Sequence, residues 1–213
     1  MLFRSSNLSL EKYDLVFPAL EELLQIDKKY FAGRDHTKWL EMKTDAYVSA
    51  GKIDAARAVY RQWKSTALAD GDTLALAQAY YIWGSRQQSM GHQDSALAVY
   101  SQALSLLNAD SHPQLQKDVL ISLGNIAYQS HQFEIAREYY GDAEAVVHGS
   151  DDIALDELLG LMIIACDWNF KAAGRNSGEP GKQISQIKET CSQSGFFAGE
   201  AFADILLARL AEQ

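Results

Sequence analysis

The chain has 213 residues, 47% of them hydrophobic and 22% charged, which is the make-up of a folded protein with a sizeable core and excludes a disordered one. Its 28 acidic residues against 19 basic ones leave a formal charge of −9, and the basic residues are scattered, so a phosphate backbone is repelled and no direct nucleic-acid partner is expected. Cys166 and Cys191, the two cysteines, lack C-x-x-C spacing and imply neither a disulfide framework nor a zinc site; both are expected as reduced, buried thiols.

In chain order, the opening "MLFRSSNLSL" has one arginine, no apolar stretch of signal-peptide length and no small-residue cleavage pattern. No export is indicated, and a cytoplasmic location is expected. The pattern predicts a helix starting at Asp14, which puts Pro18 in its first turn, where the missing N–H has no intrahelical partner. Helices are then predicted at 37–50, from Asp54, at 73–90, from Asp94, at 114–130, from Glu134 and at 152–170. Gly51 and Gly91 stand where a left-handed helix end is wanted, and His131 replaces glycine in the third such place. "ADGD" and "NADSHP" are polar breakers. Asp151 and Asp152 read as a helix N-cap and its neighbour. The run "LLGLMIIAC", 158–166, is about half the length of a bilayer-spanning helix and belongs in a core, so no membrane association is expected. Residues 171–183, "KAAGRNSGEPGKQ", read as an enlarged turn, after which "ISQIKETC" resumes a helix about eight residues late; "GEAFADILLARLAEQ" is a last helix.

Rows of forty residues bring Tyr13, Ile53, Gln93 and Phe133 into one column and Val16, Ala56, Ala96 and Ala136 into another. Leu20, Tyr60, Tyr100 and Tyr140 form a third, and Leu23, Trp63, Ala103 and Ala143 a fourth. Offsets of three, four and seven mark the apolar face of a helix, here called helix B. Asp14, Asp54, Asp94 and Glu134 precede it as capping carboxylates facing the positive end of the helix dipole. A second helix, A, precedes each B. Helix pairs at a constant interval predict an all-α fold, an α-α superhelix: a right-handed solenoid of antiparallel pairs, each burying a face against the next. A single domain is expected over 1–213, with a partial repeat at 10–30, repeats at 37–68, 73–108, 114–148 and 152–193, and a partial repeat at 197–213. Both ends fall within a repeat, so the chain is expected either to be a fragment of a longer solenoid-bearing protein or to be closed by unusual end helices.

The stretch "LGNIAYQSHQFEIAREYYGDA", 123–143, resembles the tetratricopeptide repeat family, with Leu123, Gly124, Phe133, Ala136, Tyr140 and Ala143 matching position for position. The second row matches through Trp83, Gly84, Gly91, Ala96, Tyr100 and Ala103 and departs at Gln93. The first keeps Gly51, Ala56 and Tyr60 but has Lys43 and Thr44 in place of Leu-Gly. The period exceeds the family's usual thirty-four or so residues and is similar to the longer repeats of bacterial regulatory proteins. The resemblance implies a concave surface made by the A helices that takes extended peptides or partner helices. Its groove positions map onto Lys38, Glu41 and Asp45 in the first A helix and Gln78, Tyr81, Ser85 and Gln88 in the second. They continue with Asp118, Asn125, Tyr128 and Gln129 in the third and Trp168 and Asn169 in the fourth. Tyr81, Tyr128 and Trp168 fit a packing role equally well. Of the co-chaperone grooves that hold a C-terminal carboxylate only Asn125 is matched, which disfavours an acidic-tail ligand.

No H-E-x-x-H, G-x-S-x-G, P-loop or G-x-G-x-x-G motif occurs, and His36, His92, His112, His131 and His148 fall mainly in predicted turns without forming a ligand pair. A non-catalytic scaffold for a protein or peptide segment, without metal or cofactor, is therefore expected. The alternative is a sensor segment of a larger bacterial signalling or transcription-regulating protein that binds a small peptide or metabolite. Glu41, Asp45 and Asp118 opposed only by Lys38 predict a basic or mixed-charge ligand. Phe202, Leu206 and Leu210 on the last helix are expected to leave apolar surface through which chains self-associate.

Overall fold

Three turns from a helix A to its helix B carry one left-handed residue each: Gly51 (φ 71°), Gly91 (φ 80°) and His131 (φ 59°). All three close with the same pair of backbone bonds. The third residue past the helix donates back to the end of the helix at 2.8–2.9 Å (Lys52 to Tyr47, His92 to Gln87, Gln132 to Ala127). The left-handed residue donates at 2.9–3.0 Å, Gly51 to Val48, Gly91 to Gln88 and His131 to Tyr128. These are Schellman closures, which satisfy the last carbonyls of the helix, and the next helix starts one residue later. A turn this short folds consecutive helices back antiparallel.

The structure, a computed structural model, describes residues 3–30, 36–108, 112–147, 153–172, 180–194 and 197–211. The helices are α1 (Phe3–Tyr30), α2 (His36–Ser49), α3 (Ile53–Asp70), α4 (Thr73–Ser89), α5 (Gln93–Leu104), α6 (Pro113–Gln129), α7 (Phe133–Val147), α8 (Ile153–Ala172), α9 (Pro180–Ser194) and α10 (Phe197–Ala211). The described residues contain no strand, so the fold is all-α, with the stacked antiparallel pairs of an α-α solenoid. Two compact units divide the chain, Met1–Leu106 and Leu107–Gln213. In the first, each of α1 to α4 packs on its successor and α2 lies beside α4; in the second, each of α6 to α9 packs on its successor and α8 lies beside α10.

The small column makes the close helix contacts: Ala56, Ala96 and Ala136 are fully buried. Next to it each regular pair sets a tyrosine of helix B on a glycine of helix A. A Cβ on Gly84 would fall 2.7 Å from the Tyr100 ring, and one on Gly124 nearer still to Tyr140. Only glycine permits that approach. Thr44 stands in the glycine's place in the first pair, buried, its Oγ1 donating to the Leu40 carbonyl at 2.8 Å. There Tyr60 is half-buried and lies instead on Trp83, ring centroids 4.9 Å apart and nearly parallel at 7°. Burial pushes its phenol up to about 12.

Several expectations are corrected. Helix α1 begins at Phe3, not Asp14, so Pro18 lies in the helix interior, where it faces solvent. Val16 is exposed and does not share the burial of the alanine column; the buried face of α1 is Leu20, Leu24 and Asp27, with Phe17 stacked on Tyr47 at 4.3 Å. The B helices start one residue before their carboxylates. Lys52 and His92 occupy the caps of α3 and α5 without side-chain bonds, leaving Asp54, Asp94 and Glu134 in the first turn, where they favour the helix through its dipole. A capping carboxylate does occur before α4, where Asp72 accepts from the Ala75 N–H at 2.9 Å.

Helix α9 starts at Pro180, four residues before the predicted resumption at Ile184. Ile184 and Cys191 are buried in it at the seven-residue spacing of Ala136 and Ala143. Residues 173–179, Asp151, Asp152 and His148 lie outside the described residues. The Phe202, Leu206 and Leu210 face of α10 is not open surface. Leu206 is 2% exposed, and Phe202 and Leu210 pack on the cluster it forms with Leu161, Ala165, Ile184 and Ala203. The exposed apolar residues of α10 are Phe197 and Ile205. Neither cysteine is in a disulfide and both are buried, and Cys166 is pushed up to about 12, first by burial and then by the charge of Asp167, which keeps it an unreactive thiol.

Candidate functional site

In the 107–213 unit three of the predicted groove residues meet. Asn125, Tyr128 and Gln129, on the last two turns of α6, line a cavity of about 90 Å³ with Tyr140 of α7, Met162 and Ala165 of α8 and Phe202 of α10. The Tyr140 hydroxyl, brought over Gly124 by the close approach of α6 and α7, donates to Asn125 Oδ1 at 2.9 Å and fixes the amide. Tyr128 is half-buried, set edge-on to Phe133 at 5.3 Å and packed against the Leu161 cluster, so it combines wall and packing roles. Asp118, two turns away on α6, does not line this cavity. Gln114 Nε2 donates to it at 3.4 Å, and burial holds its carboxyl above the usual range against the opposing effect of Lys117 and Gln114.

In the 1–106 unit the predicted residues lie on α2 and α4. Gln78, Tyr81, Ser85 and Gln88 of α4 are all half-buried. Tyr81 packs against the Leu24, Leu40, Val59, Trp63, Ala79 and Ile82 cluster, with its ring 5.9 Å from that of Tyr100. Gln88 Oε1 accepts from the Tyr100 hydroxyl at 3.0 Å. Lys38 is exposed, its ammonium 5.7 Å from the Trp39 ring centroid.

The charge balance expected here is corrected. Asp45 is opposed not by Lys38 but by Arg86, whose guanidinium lies 2.6 Å from its Oδ1 across the α2–α4 contact. Glu41, one turn before Asp45, is held above the usual carboxylate range by burial first and by Asp45 second, with Arg86 opposing. The signal for Arg86 was present in the sequence, since adjacent A helices place residues about forty apart side by side. Met162, Phe202 and Tyr140 were also missed as lining, because they reach the cavity from other helices. Trp168 and Asn169 lie on α8, with side chains outside the described residues. No group of three or more His, Cys, Asp or Glu able to hold a metal occurs among the described residues.

No family model matches the chain, and no curated protein matches it. Among solved structures it is similar to a signal transduction ATPase with numerous domains (STAND) from Pyrococcus horikoshii that carries a tetratricopeptide repeat sensor. The TM-score is 0.68 at 14% identity, over 92% of this chain and 31% of that one. The fold is tetratricopeptide-repeat-like. A second structure, BtubC (BKLC) from P. vanneervenii, aligns over 99% of this chain and 91% of its own at 15% identity and a TM-score of 0.49. The chain thus spans about a third of the length of the sensor-bearing protein. Among the described residues no helix is long and apolar enough to cross a membrane.

Proposed function

We propose that the chain is a non-catalytic repeat scaffold that holds an extended segment of another protein against its A helices. The observation that supports this most is the set of side chains around the 90 Å³ cavity. Asn125 Oδ1 is taken by Tyr140, so the amide N–H donors are the part of Asn125 left for a ligand carbonyl. Tyr128, Met162, Ala165 and Phe202 make apolar walls for one ligand side chain, which suits an extended backbone with alternating contacts. With Asp45 paired to Arg86, Glu41 in the first unit and, separately, Asp118 in the second each still favour a basic or mixed-charge segment.

The test is a peptide-array screen followed by titration at two salt concentrations. Asn125→Asp keeps the acceptor for Tyr140 and removes the donors, and is expected to weaken binding at both salts. Asp118→Asn is expected to weaken binding of basic segments mainly at low salt. Peptides that map to the B helices, or that prove consistently acidic, overturn the reading.

A second reading is that the chain is the sensing segment of a larger signalling protein, supported by its likeness to the sensor-bearing STAND protein. The surrounding reading frame decides it: a continuation into a nucleotide-hydrolysing or DNA-binding domain favours the sensor, and isolated stop codons count against it.

A further inference from the structure

A larger cavity, about 480 Å³, opens in the same unit where α8 lies between α7 and α9. The helix pair beside it breaks the Tyr-on-Gly rule. Forty residues after Gly124 stands Ile164, and forty-eight after Tyr140, the shift that also sets Ile184 and Cys191 in the alanine columns, stands Lys188. Lys188 bonds Asp204 of α10 at 2.6 Å and does not line the cleft. The cleft has an aliphatic floor of Gly160, Ile163, Ile164 and Ile187, with Glu144 and Asp167 as its ionisable residues among the described side chains. From Gly160 to Asp167 the floor runs two helical turns, roughly 10 Å. Among the described side chains no basic residue lines it. Arg137 reaches Asp167 from α7 at 2.6 Å, but its side chain is 51% exposed, and a single guanidinium does not balance two carboxylates. The volume is in the range of small-ligand sites.

We infer that this cleft binds a small organic cation with an aliphatic body, its methylenes on the isoleucine floor and its ammonium or guanidinium head between Glu144 and Asp167. The inference stands apart from the A-helix reading, because it uses none of that cavity's residues. A bound cation competes with Arg137 for Asp167, so occupancy loosens the ion pair that ties α7 to α8.

The experiment is an amide-NMR titration of the chain with n-butylammonium and n-hexylammonium, with n-hexanol and n-hexanoate as uncharged and anionic counterparts. Shifts are expected on α8 and α9 around Ile163 and Ile187. The two added methylenes are expected to tighten binding at least threefold and at most about fifteenfold, the upper figure being ~0.8 kcal/mol per buried CH₂. Hexanol and hexanoate should bind at least tenfold more weakly than hexylammonium. Gln186 is exposed on α9 at the rim, so its variants keep the fold: Gln186→Glu should tighten the amine severalfold and Gln186→Lys weaken it severalfold. Arg137→Ala should tighten it as well. Equal affinity for hexanoate, indifference to the charge at 186, shifts centred on Asn125 and Met162, or no saturable shift with either amine each overturn the proposal.

Discussion

Gly124→Ala sets helix propensity against packing. Inside a helix, Ala is favoured over Gly by ~1 kcal/mol. At 124, however, the added methyl would overlap the Tyr140 ring at a distance real Cβ atoms do not reach, and the contact is an aromatic ring on a helix, not the flexible tip of a long side chain. Overpacking of this kind costs about 1–3 kcal/mol. Moving the ring also breaks the hydroxyl bond to Asn125, worth ~1 kcal/mol. The net expectation is a loss of roughly 1–3 kcal/mol. Gly141→Ala is the control, because that glycine is also helical and a Cβ there meets nothing within 4 Å; it should gain up to ~1 kcal/mol. For a unit of this size each kcal/mol moves the midpoint by roughly 4–8 °C, so the two variants should melt on opposite sides of the parent. Far-UV circular dichroism melts and urea titrations read this directly. Combining Gly124→Ala with Tyr140→Leu should cost less than the sum of the two, since the clash and the ring are one interaction. A Gly124→Ala chain that melts at or above the parent refutes the packing argument.

Three further outcomes follow from the same geometry. Ala136→Leu, at a fully buried contact, should destabilise by about 1–3 kcal/mol in urea titration, and His131→Gly should stabilise by about 1 kcal/mol by relieving the left-handed backbone, read as a rise in melting temperature. Glu41 keeps its proton to higher pH folded than unfolded, so between the ordinary carboxylate value and the raised native one stability falls as pH rises; Glu41→Gln should therefore melt higher than the parent at neutral pH, with the gain fading as the pH drops below that window. Asp45→Lys should lower the melting temperature by placing two cations where Asp45 and Arg86 now pair, and Arg86→Glu should partly restore it in the double variant.

Most of the helix layout was legible because each row of the sequence repeats one rule, and a repeated rule averages out local accidents. α2, α4, α6 and α8 begin and end within a residue or two of their predicted limits, α3, α5 and α7 begin within a residue of their predicted starts, and the left-handed His131 was readable because it stands in a glycine's column. Where a row breaks the rule, single-helix patterning loses its power. In α1 the faces through Val16, Leu20 and Leu23 and through Phe17, Leu20 and Leu24 have the same helical spacing, and only the stacking of Phe17 on Tyr47 selects the second. A buried Asp27 on that face is outside what hydrophobic patterning can propose.

The site was legible to a smaller degree, for a physical reason. Helical periodicity says which residues share a face, and so Asn125, Tyr128 and Gln129 could be grouped from the sequence. It does not say which side chain of a neighbouring helix arrives opposite them, because that depends on crossing geometry set by contacts such as Tyr140 on Gly124. The contacts that fix the site's geometry are of that second kind. The Tyr140 hydroxyl on Asn125, Arg86 on Asp45 and Phe202 beside Met162 are all meetings between helices. The 480 Å³ cleft is of the same kind: its lining is drawn from α7, α8 and α9, so periodicity along any one helix does not group Glu144, Ile164 and Ile187.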